Sequence, residues 1–205
     1  MSRYTGPRIR IVRRLGADLP GLTRKSAERK PYPPGQHGQG RRGKISLYGQ
    51  QMREKQKLRF NYGLTEKQMR KVVKEAFRRR GAPAENILKQ LEGRLDNTVF
   101  RCGFAPTIPA ARQLVSHGHI RINGKKCDIP SAQVKAGMEL TISIKGDKIP
   151  AVTESWENPS LTRPTWLEIS ESSKVAKVAK LPEQEDCPLI LEMPLVVEYY
   201  SRFVK

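Results

Sequence analysis

From Thr65 to Arg78 the apolar residues Met69, Val72, Val73, Ala76 and Phe77 recur at a spacing of three, four, seven and eight. That spacing lines one side of an α-helix. Lys67, Arg70, Lys71, Lys74 and Arg78 fall largely on the other side. Thr65, followed three residues later by Gln68, supplies a capping box at the helix start. Gly81 ends the helix, and Pro83 opens the next one, whose apolar stripe is Ile87, Leu88 and Leu91. Upstream, residues 48–61 (YGQQMREKQKLRFN) predict another helix, with Arg53, Lys55, Lys57 and Arg59 set around a few apolar residues.

The pattern changes at residue 94. RLDNTVFRCG reads as a short helix with Leu95, Val99 and Cys102 on one side and Arg94, Asn97 and Arg101 on another. PAARQLVSHG reads as a second helix, with Pro109 in its first turn, Gly118 as its stop, Leu114 and Val115 inward and Arg112 on a polar side. HIRINGKKCDI is a strand, an Asn-Gly turn and a strand, with Ile120 and Ile122 alternating against His119, Arg121 and Asn123. VKAGMELTISI continues at period two through Leu140, Ile142 and Ile144. Residues 94–145 therefore form a unit of two helices followed by a small sheet. Beyond it lie ESSKVAKVAKLPEQED, a stretch of low expected order, and an apolar end, PLILEMPLVVEYYSRFVK, suited to packing on the helical region.

Charge gives these elements a purpose. The chain of 205 residues has a net charge of +19. Residues 1–80 hold 23 Lys and Arg against 5 Asp and Glu, whereas residues 81–205 hold 16 against 15. A field concentrated in this way draws polyanions, nucleic acid first. Arg8, Arg10, Arg13, Arg14, Arg24, Lys25, Arg29, Lys30, Arg41, Arg42 and Lys44 stand among prolines and glycines with little apolar material, so this arm is expected to order on a polyanion rather than alone. Three widely spaced cysteines make no disulfide framework and fit a reducing compartment. No stretch reaches the roughly 20 apolar residues of a membrane span, and the N-terminus is too polar for a signal peptide.

Catalytic and metal chemistry find no support. His117-Gly-His119 lacks Cys or carboxylate partners at zinc spacing, and there is no Cys-x-x-Cys. Neither a Gly-x-Ser-x-Gly nor a Gly-x-x-x-x-Gly-Lys-Ser/Thr loop occurs. Asp96, Asp128 and Glu139 show no spacing for acid-base work. RNA binding explains more: Arg94, Asn97, Arg101 and Arg112 on the two short helices converge on a backbone, and His119, Asn123 and Lys125 reach a groove edge. Aromatic residues make up only 6% of the chain, which favours folded RNA read by shape and phosphate over base stacking. His117 and His119 also have an ordinary structural reading, as a helix C-terminal side chain and a strand-edge polar residue.

RLDNTVFRCGFAPTIPAARQLVSHGHIRINGKKCDIPSAQVKAG resembles the RNA-binding module named after ribosomal protein four of the small subunit. That module recurs in pseudouridine synthases, tyrosyl-tRNA synthetases and a heat-shock RNA-binding protein. MSRYTGPRIRIVRRLG, PGQHG, YGQQMREKQKLRFNYGLTEKQ, LEGRLDN, PTWLE and VVEYYSR extend the likeness to the ribosomal protein's family over nearly the whole length, with a cyanobacterial and plastid flavour. The resemblance implies an α+β fold. It comprises an extended basic N-terminal arm (1–44), a mainly helical domain (45–93, completed by 150–205) and an inserted RNA-binding module of two helices plus a small antiparallel sheet (94–149). It further implies a primary binder of small-subunit rRNA at a helix junction of the 5′ region, which nucleates assembly and lines the pore where messenger RNA enters. Ribosomal proteins five and three are the expected neighbours, the former linked to decoding accuracy, and the expected setting is a ribosome in the plastid stroma or, alternatively, in bacterial or cyanobacterial cytoplasm. Arg41, Arg42 and Lys44 fall in the family's pore-facing basic stretch, although the local sequence diverges. Arg3, His37, Tyr48, Ser116 and His117 lie within the quoted motifs and complete the candidate RNA-binding set. Many bacterial members hold zinc through an arm cysteine cluster. No cysteine precedes Cys102 here, so the likeness is to the zinc-free branch, with no metal or other cofactor. The rival reading, an enzyme that borrows the module, needs a catalytic domain for which about 60 residues low in His and Cys are too few. A free-standing RNA chaperone would not need the LEGRLDN junction to a helical domain.

Overall fold

The computed structural model describes residues 4–40, 43–170 and 173–203. The chain divides into two compact units, Met1–Ile87 with Leu189–Lys205, and Leu88–Pro188. In the first unit, α1 (Arg8–Leu15) is followed by α2 (Leu47–Asn61) and α3 (Glu66–Arg78). The start of α4 (Pro83–Glu92) also belongs to this unit, because the division falls inside that helix. The arm, which the resemblance implies is extended and whose composition suggests order only on a polyanion, contains the helix α1. Ile11, Val12 and Leu15 line one side of α1 and are buried with Leu19 and Leu22, which supplies the apolar anchor that a count of prolines and cations overlooks. Gly16 closes α1 in the left-handed region (φ 62°), and its N–H donates to the Val12 carbonyl. The anticipated capping box of α3 is formed. Thr65 N–H donates to Gln68 Oε1 at 3.0 Å and Gln68 N–H to Thr65 Oγ1 at 3.3 Å, while Met69, Val73 and Ala76 are fully buried.

The apolar C-terminal stretch becomes the last helix of the chain, Met193–Ser201, and packs on α2 as its sequence anticipated. Met193, Val196, Tyr199 and Tyr200 face inward. A polar cluster fixes the contact: Lys55 Nζ lies 2.9 Å from Glu66 Oε2, and the Tyr200 hydroxyl donates to Glu66 Oε1 at 3.1 Å.

In the second unit, α5 (Leu95–Cys102) and α6 (Ile108–Ser116) pack together and lead into β1 (Ile120–Ile122), β2 (Lys125–Lys126) and β3 (Glu139–Ile142). Short helices α7 (Ile144–Asp147) and α8 (Pro150–Glu157) follow, then β4 (Leu167–Ser170) and β5 (Val175–Val178). With these in place, the C-terminal helix Met193–Ser201 is α9. The five strands form one antiparallel sheet in the order β2-β1-β3-β5-β4. One face carries Ile120, Leu140, Ala176, Val178 and Leu167, all buried.

Two expectations are corrected here. The stretch expected to be poorly ordered contains β5, whose alternation of Ala176 and Val178 against Lys177 is too short to stand out in sequence. β4 and β5 pair into the module's sheet, and the compact units divide at 87/88 and 188/189. The period-two run ends at Ile142, since Ile144 opens α7 and is exposed.

Glu66 yields a test of the α2–α9 seam. Partial burial pushes its pKa up, but the Lys55 ammonium and the Tyr200 hydroxyl outweigh this and hold it below the ordinary value. A depressed folded pKa adds stability above the unfolded value, about 4.3, that is lost as pH falls through the folded one. Glu66→Gln is therefore expected to melt lower than the wild type at neutral pH, with the gap shrinking below about pH 4.3. A gap in melting temperature that stays constant across the acid range would contradict this.

Candidate nucleic-acid interface

The module's interior is organised by two acids. Asp96, with no exposed surface, receives Arg94 Nε and Nη2 at 3.0 and 2.9 Å and Arg112 Nε and Nη2 at 2.9 and 2.6 Å. Its Oδ1 also accepts the Asn97 N–H. Glu92 takes the Asn97 side-chain amide at 2.8 Å and an ion pair with Arg101 at 3.8 Å, while Arg101 Nη2 donates to the Asp186 carbonyl at 2.8 Å. Backbone bonds clamp the same place: Leu95 N–H reaches the Ala132 carbonyl, Asp96 N–H that of Pro130, and Val134 N–H that of Gly93.

These four cationic and amide side chains were expected to converge on RNA, and they converge on carboxylates. Arg94 and Arg101 are only 7% and 6% exposed, and Asn97 is 2% exposed. A buried guanidinium bonded to a buried carboxylate is not free to meet a phosphate, so Arg94, Asn97 and Arg101 hold the fold. Arg112 is pinned by the same Asp96, with its side chain 20% exposed. The i, i+3, i+7 spacing read from sequence was right about the shared side and wrong about what that side faces.

The exposed candidates gather where α6 ends and the hairpin turns. Ser116 and His117 are exposed at the end of α6, and His119 is half-buried, its Nδ1 3.5 Å from Ser143 Oγ. The turn has Asn123 and Gly124 both at positive φ (50° and 77°), the conformation that joins adjacent strands with matched twist. Asn123 Oδ1 accepts the Glu139 N–H at 2.8 Å, and its own N–H donates to the Glu139 carbonyl. Asn123 thus serves to hold the hairpin on β3. Lys125 is exposed beside it.

Register adds two residues that the sequence reading missed. Arg121 stands directly across from Lys126, both exposed, on the face opposite the buried Ile120. Like charges directly opposite destabilise a strand pair. Neither makes an ion pair among the described residues. The signal was available, because Arg121 alternates with Ile120 and Ile122, but the partner could be known only once the Asn-Gly turn set the register. The Lys126 stem also passes over Gly118 (φ 73°), where any side chain would collide with it.

Among the first unit's candidates, Arg10, Arg14, His37 and Lys44 are exposed. Arg8 and Arg13 are half-buried and hold the arm to itself: Arg8 donates to the Leu22 carbonyl, and Arg13 donates to those of Lys30 and Tyr32 and lies over the Tyr32 ring. On α2, Lys55 is 4% exposed and paired to Glu66. Lys57 bonds Glu54, Arg59 bonds Gln56 and covers Phe60, Arg53 is half-buried, and Tyr48 is exposed with its ring 5.9 Å from that of Tyr199. Arg3, Arg41 and Arg42 lie outside the described residues.

Cys102 is an inert core residue, its thiol pushed up to about 12 by burial. Among the described residues, no three His, Cys, Asp or Glu side chains are placed to hold a metal ion, and no helix is long and apolar enough to cross a membrane.

Comparison with known proteins shows the family that the chain resembles. A family model described as the ribosomal protein S4/S9 N-terminal domain matches residues 3–92, and one described as the S4 domain matches residues 93–140. The chain is 52% identical to small ribosomal subunit protein uS4 of Methylobacillus flagellatus over 202 residues, which is 98% of each chain. It is 54% identical to the uS4 protein of a Nostoc species over 203 residues, 98% of this chain and 99% of that one. With the uS4 protein of Synechococcus elongatus it shares 53% over 205 residues, the whole of both.

The inner and outer cations separate by experiment. Lys126→Gln is expected to leave the melting temperature unlowered and to reduce the salt slope of binding to folded RNA by about one. Arg101→Ala removes the cation paired with the buried Glu92, is expected to destabilise by about 3 kcal/mol, and leaves the slope of the folded protein unchanged. Thermal unfolding with salt-titrated binding reads both, and a lowered slope for Arg101→Ala would return that residue to the interface.

Proposed function

The chain belongs to the family of small ribosomal subunit protein uS4, a non-enzymatic structural constituent of the ribosome, and on that premise we propose that it is a primary binder of small-subunit rRNA. Its target is a helix junction of the 5′ region, and its binding nucleates subunit assembly. The observation that carries this reading is the unneutralised pair Arg121 and Lys126, set beside exposed Ser116, His117, Asn123 and Lys125. A folded protein keeps two cations face to face at a cost to its own stability, and a phosphate row removes that cost while releasing counterions. Aromatic residues make up only 6% of the chain, which favours a folded RNA backbone over splayed bases.

The arm fits the same partner through Arg10, Arg14, His37 and Lys44, which are exposed. In this reading Lys44, with Arg41 and Arg42, approaches messenger RNA at the pore where it enters the subunit. Ribosomal protein five, and protein three beside it, are the proposed protein neighbours, and the contact with protein five carries the contribution to decoding accuracy. The compartment is the plastid stroma, with bacterial or cyanobacterial cytoplasm as the alternative.

The test compares binding to the isolated 5′ region of small-subunit rRNA with binding to an unrelated folded RNA of equal length over a salt series. A preference for the ribosomal fragment that persists at moderate salt is the expected result. Equal affinities falling together with salt would mean that only net charge acts, and would remove the claim of a specific primary binder.

A further inference from the structure

Asn123 and Gly124 are the only Asn-Gly pair in the chain, and both are exposed at the hairpin tip. An asparagine side-chain amide can be attacked by the backbone nitrogen of the residue that follows it. Both groups lie on one short segment, so the attack is intramolecular and needs only the right geometry. The following residue decides access. Gly124 has no side chain to shield its nitrogen, and a Cβ placed there would meet nothing within 4 Å. The other asparagines are closed to this attack. Asn61 and Asn97 are buried, with the bulky Tyr62 and the β-branched Thr98 after them. Asn86 is half-buried in α4, its amide bonded to the Ala76 and Arg80 carbonyls, and Ile87 follows it. Asn158 precedes Pro159, which has no N–H to lose.

In the closed hairpin the Asn123 side chain is engaged elsewhere. Its Oδ1 accepts the Glu139 N–H at 2.8 Å, and its own N–H donates to the Glu139 carbonyl at 2.8 Å. Bringing Cγ onto the Gly124 nitrogen turns the side chain back over its own backbone and breaks the bond from Glu139. That bond is a latch, and the latch is weakly held. β2 is a two-residue strand at the sheet edge, and it sets Lys126 directly across from Arg121, a pairing that like charge opposes. Exposed edge segments of this kind open locally at far lower cost than global unfolding.

We propose that Asn123 is a self-modifying site, which deamidates when the hairpin tip opens and is protected while Glu139 holds it. The Gly124 nitrogen bonds to Asn123 Cγ and the bond from Cγ to Nδ2 breaks. The departing nitrogen takes up the Gly124 amide proton and leaves as ammonia. Water then opens the cyclic imide: its hydroxyl adds to one carbonyl carbon and its other proton goes to the ring nitrogen. Opening at one carbonyl gives aspartate, and opening at the other gives isoaspartate. No reactant besides water enters. Either product puts a carboxylate beside Arg121, Lys125 and Lys126 and lowers the positive charge of this edge. Isoaspartate also routes the main chain through an extra carbon, which disturbs the register that pairs Arg121 with Lys126. This step does not rest on the RNA-binding reading.

The experiment incubates the full chain in neutral to mildly alkaline buffer and follows the peptide containing Asn123 by mass spectrometry, with ammonia release as a second readout. Wild type and Lys126→Gln are compared folded and in urea, with the melting temperature as the folding control. The expected product is confined to Asn123 in the folded wild type and forms several-fold more slowly than in urea. Lys126→Gln removes the like-charge pair, keeps the latch closed for longer and slows the folded rate several-fold, with the rate in urea unchanged. Gly124→Ala, read in urea where folding plays no part, slows the reaction because its methyl group shields the attacking nitrogen. A folded chain without product at Asn123 overturns the proposal, as do equal folded rates for wild type and Lys126→Gln. A folded chain that reacts as fast as the unfolded one also overturns it, because Glu139 would then be no latch. An unchanged rate for Gly124→Ala would remove the Gly124 nitrogen as the attacking group and the proposed step with it.

Discussion

Asp96 is an anion with no exposed surface that holds two guanidiniums, and the module around it depends on that arrangement. Removing such a charge from water costs several kcal/mol, and the cost is met here by four hydrogen bonds from Arg94 and Arg112 and one from the Asn97 backbone. Arg94 sits at the start of α5 and Arg112 in the middle of α6, so one carboxylate ties the two helices together at a fixed angle and register. The hairpin leaves directly from the end of α6, where the His119 N–H donates to the Leu114 carbonyl. A shift in how α6 sits on α5 would carry the exposed hairpin with it.

The chain therefore spends its cations in two ways. Inside, Lys55, Arg94, Arg101 and Arg112 each answer a carboxylate and set the fold. Outside, Arg121, Lys125 and Lys126 in one unit and Lys67, Lys71 and Lys74 of α3 in the other are exposed to water or to a polyanion. A net charge of +19 says that such a surface exists, but only burial says which cations belong to it. The rings of His117 and His119 are 6.2 Å apart, and neither belongs to a group of three metal-ligating side chains among the described residues.

Much of this was legible in the sequence. The faces of α3 and the α5–α6 pair follow from periodicity, the α3 start from Thr65 and Gln68, and the hairpin from Asn123-Gly124. What could not be read was long-range. Periodicity groups Arg94, Asn97 and Arg101 on one side, but it does not reveal that Glu92, Asp96 and Asp186 wait there. A four-residue strand such as Val175–Val178 carries too little alternation to declare itself, and its membership in the sheet depends on pairing with residues about 36 positions earlier. The α1 anchor was hidden for a similar reason. Its three buried apolar residues are interleaved with four arginines, and composition averages them away.

The central claim is that Arg94 and Arg112 serve Asp96 and not phosphate. The most direct measurement is the stability and RNA-binding salt slope of Asp96→Ala beside the triple variant Asp96→Ala/Arg94→Met/Arg112→Met. The account predicts that the single variant is destabilised by about 3–5 kcal/mol, because two guanidiniums lose their anion, and that the apolar triple regains much of that stability. It predicts for the triple a wild-type salt slope. A folded triple variant whose slope has fallen by about two would show that both arginines touch RNA, and the account of the module's interior would be wrong.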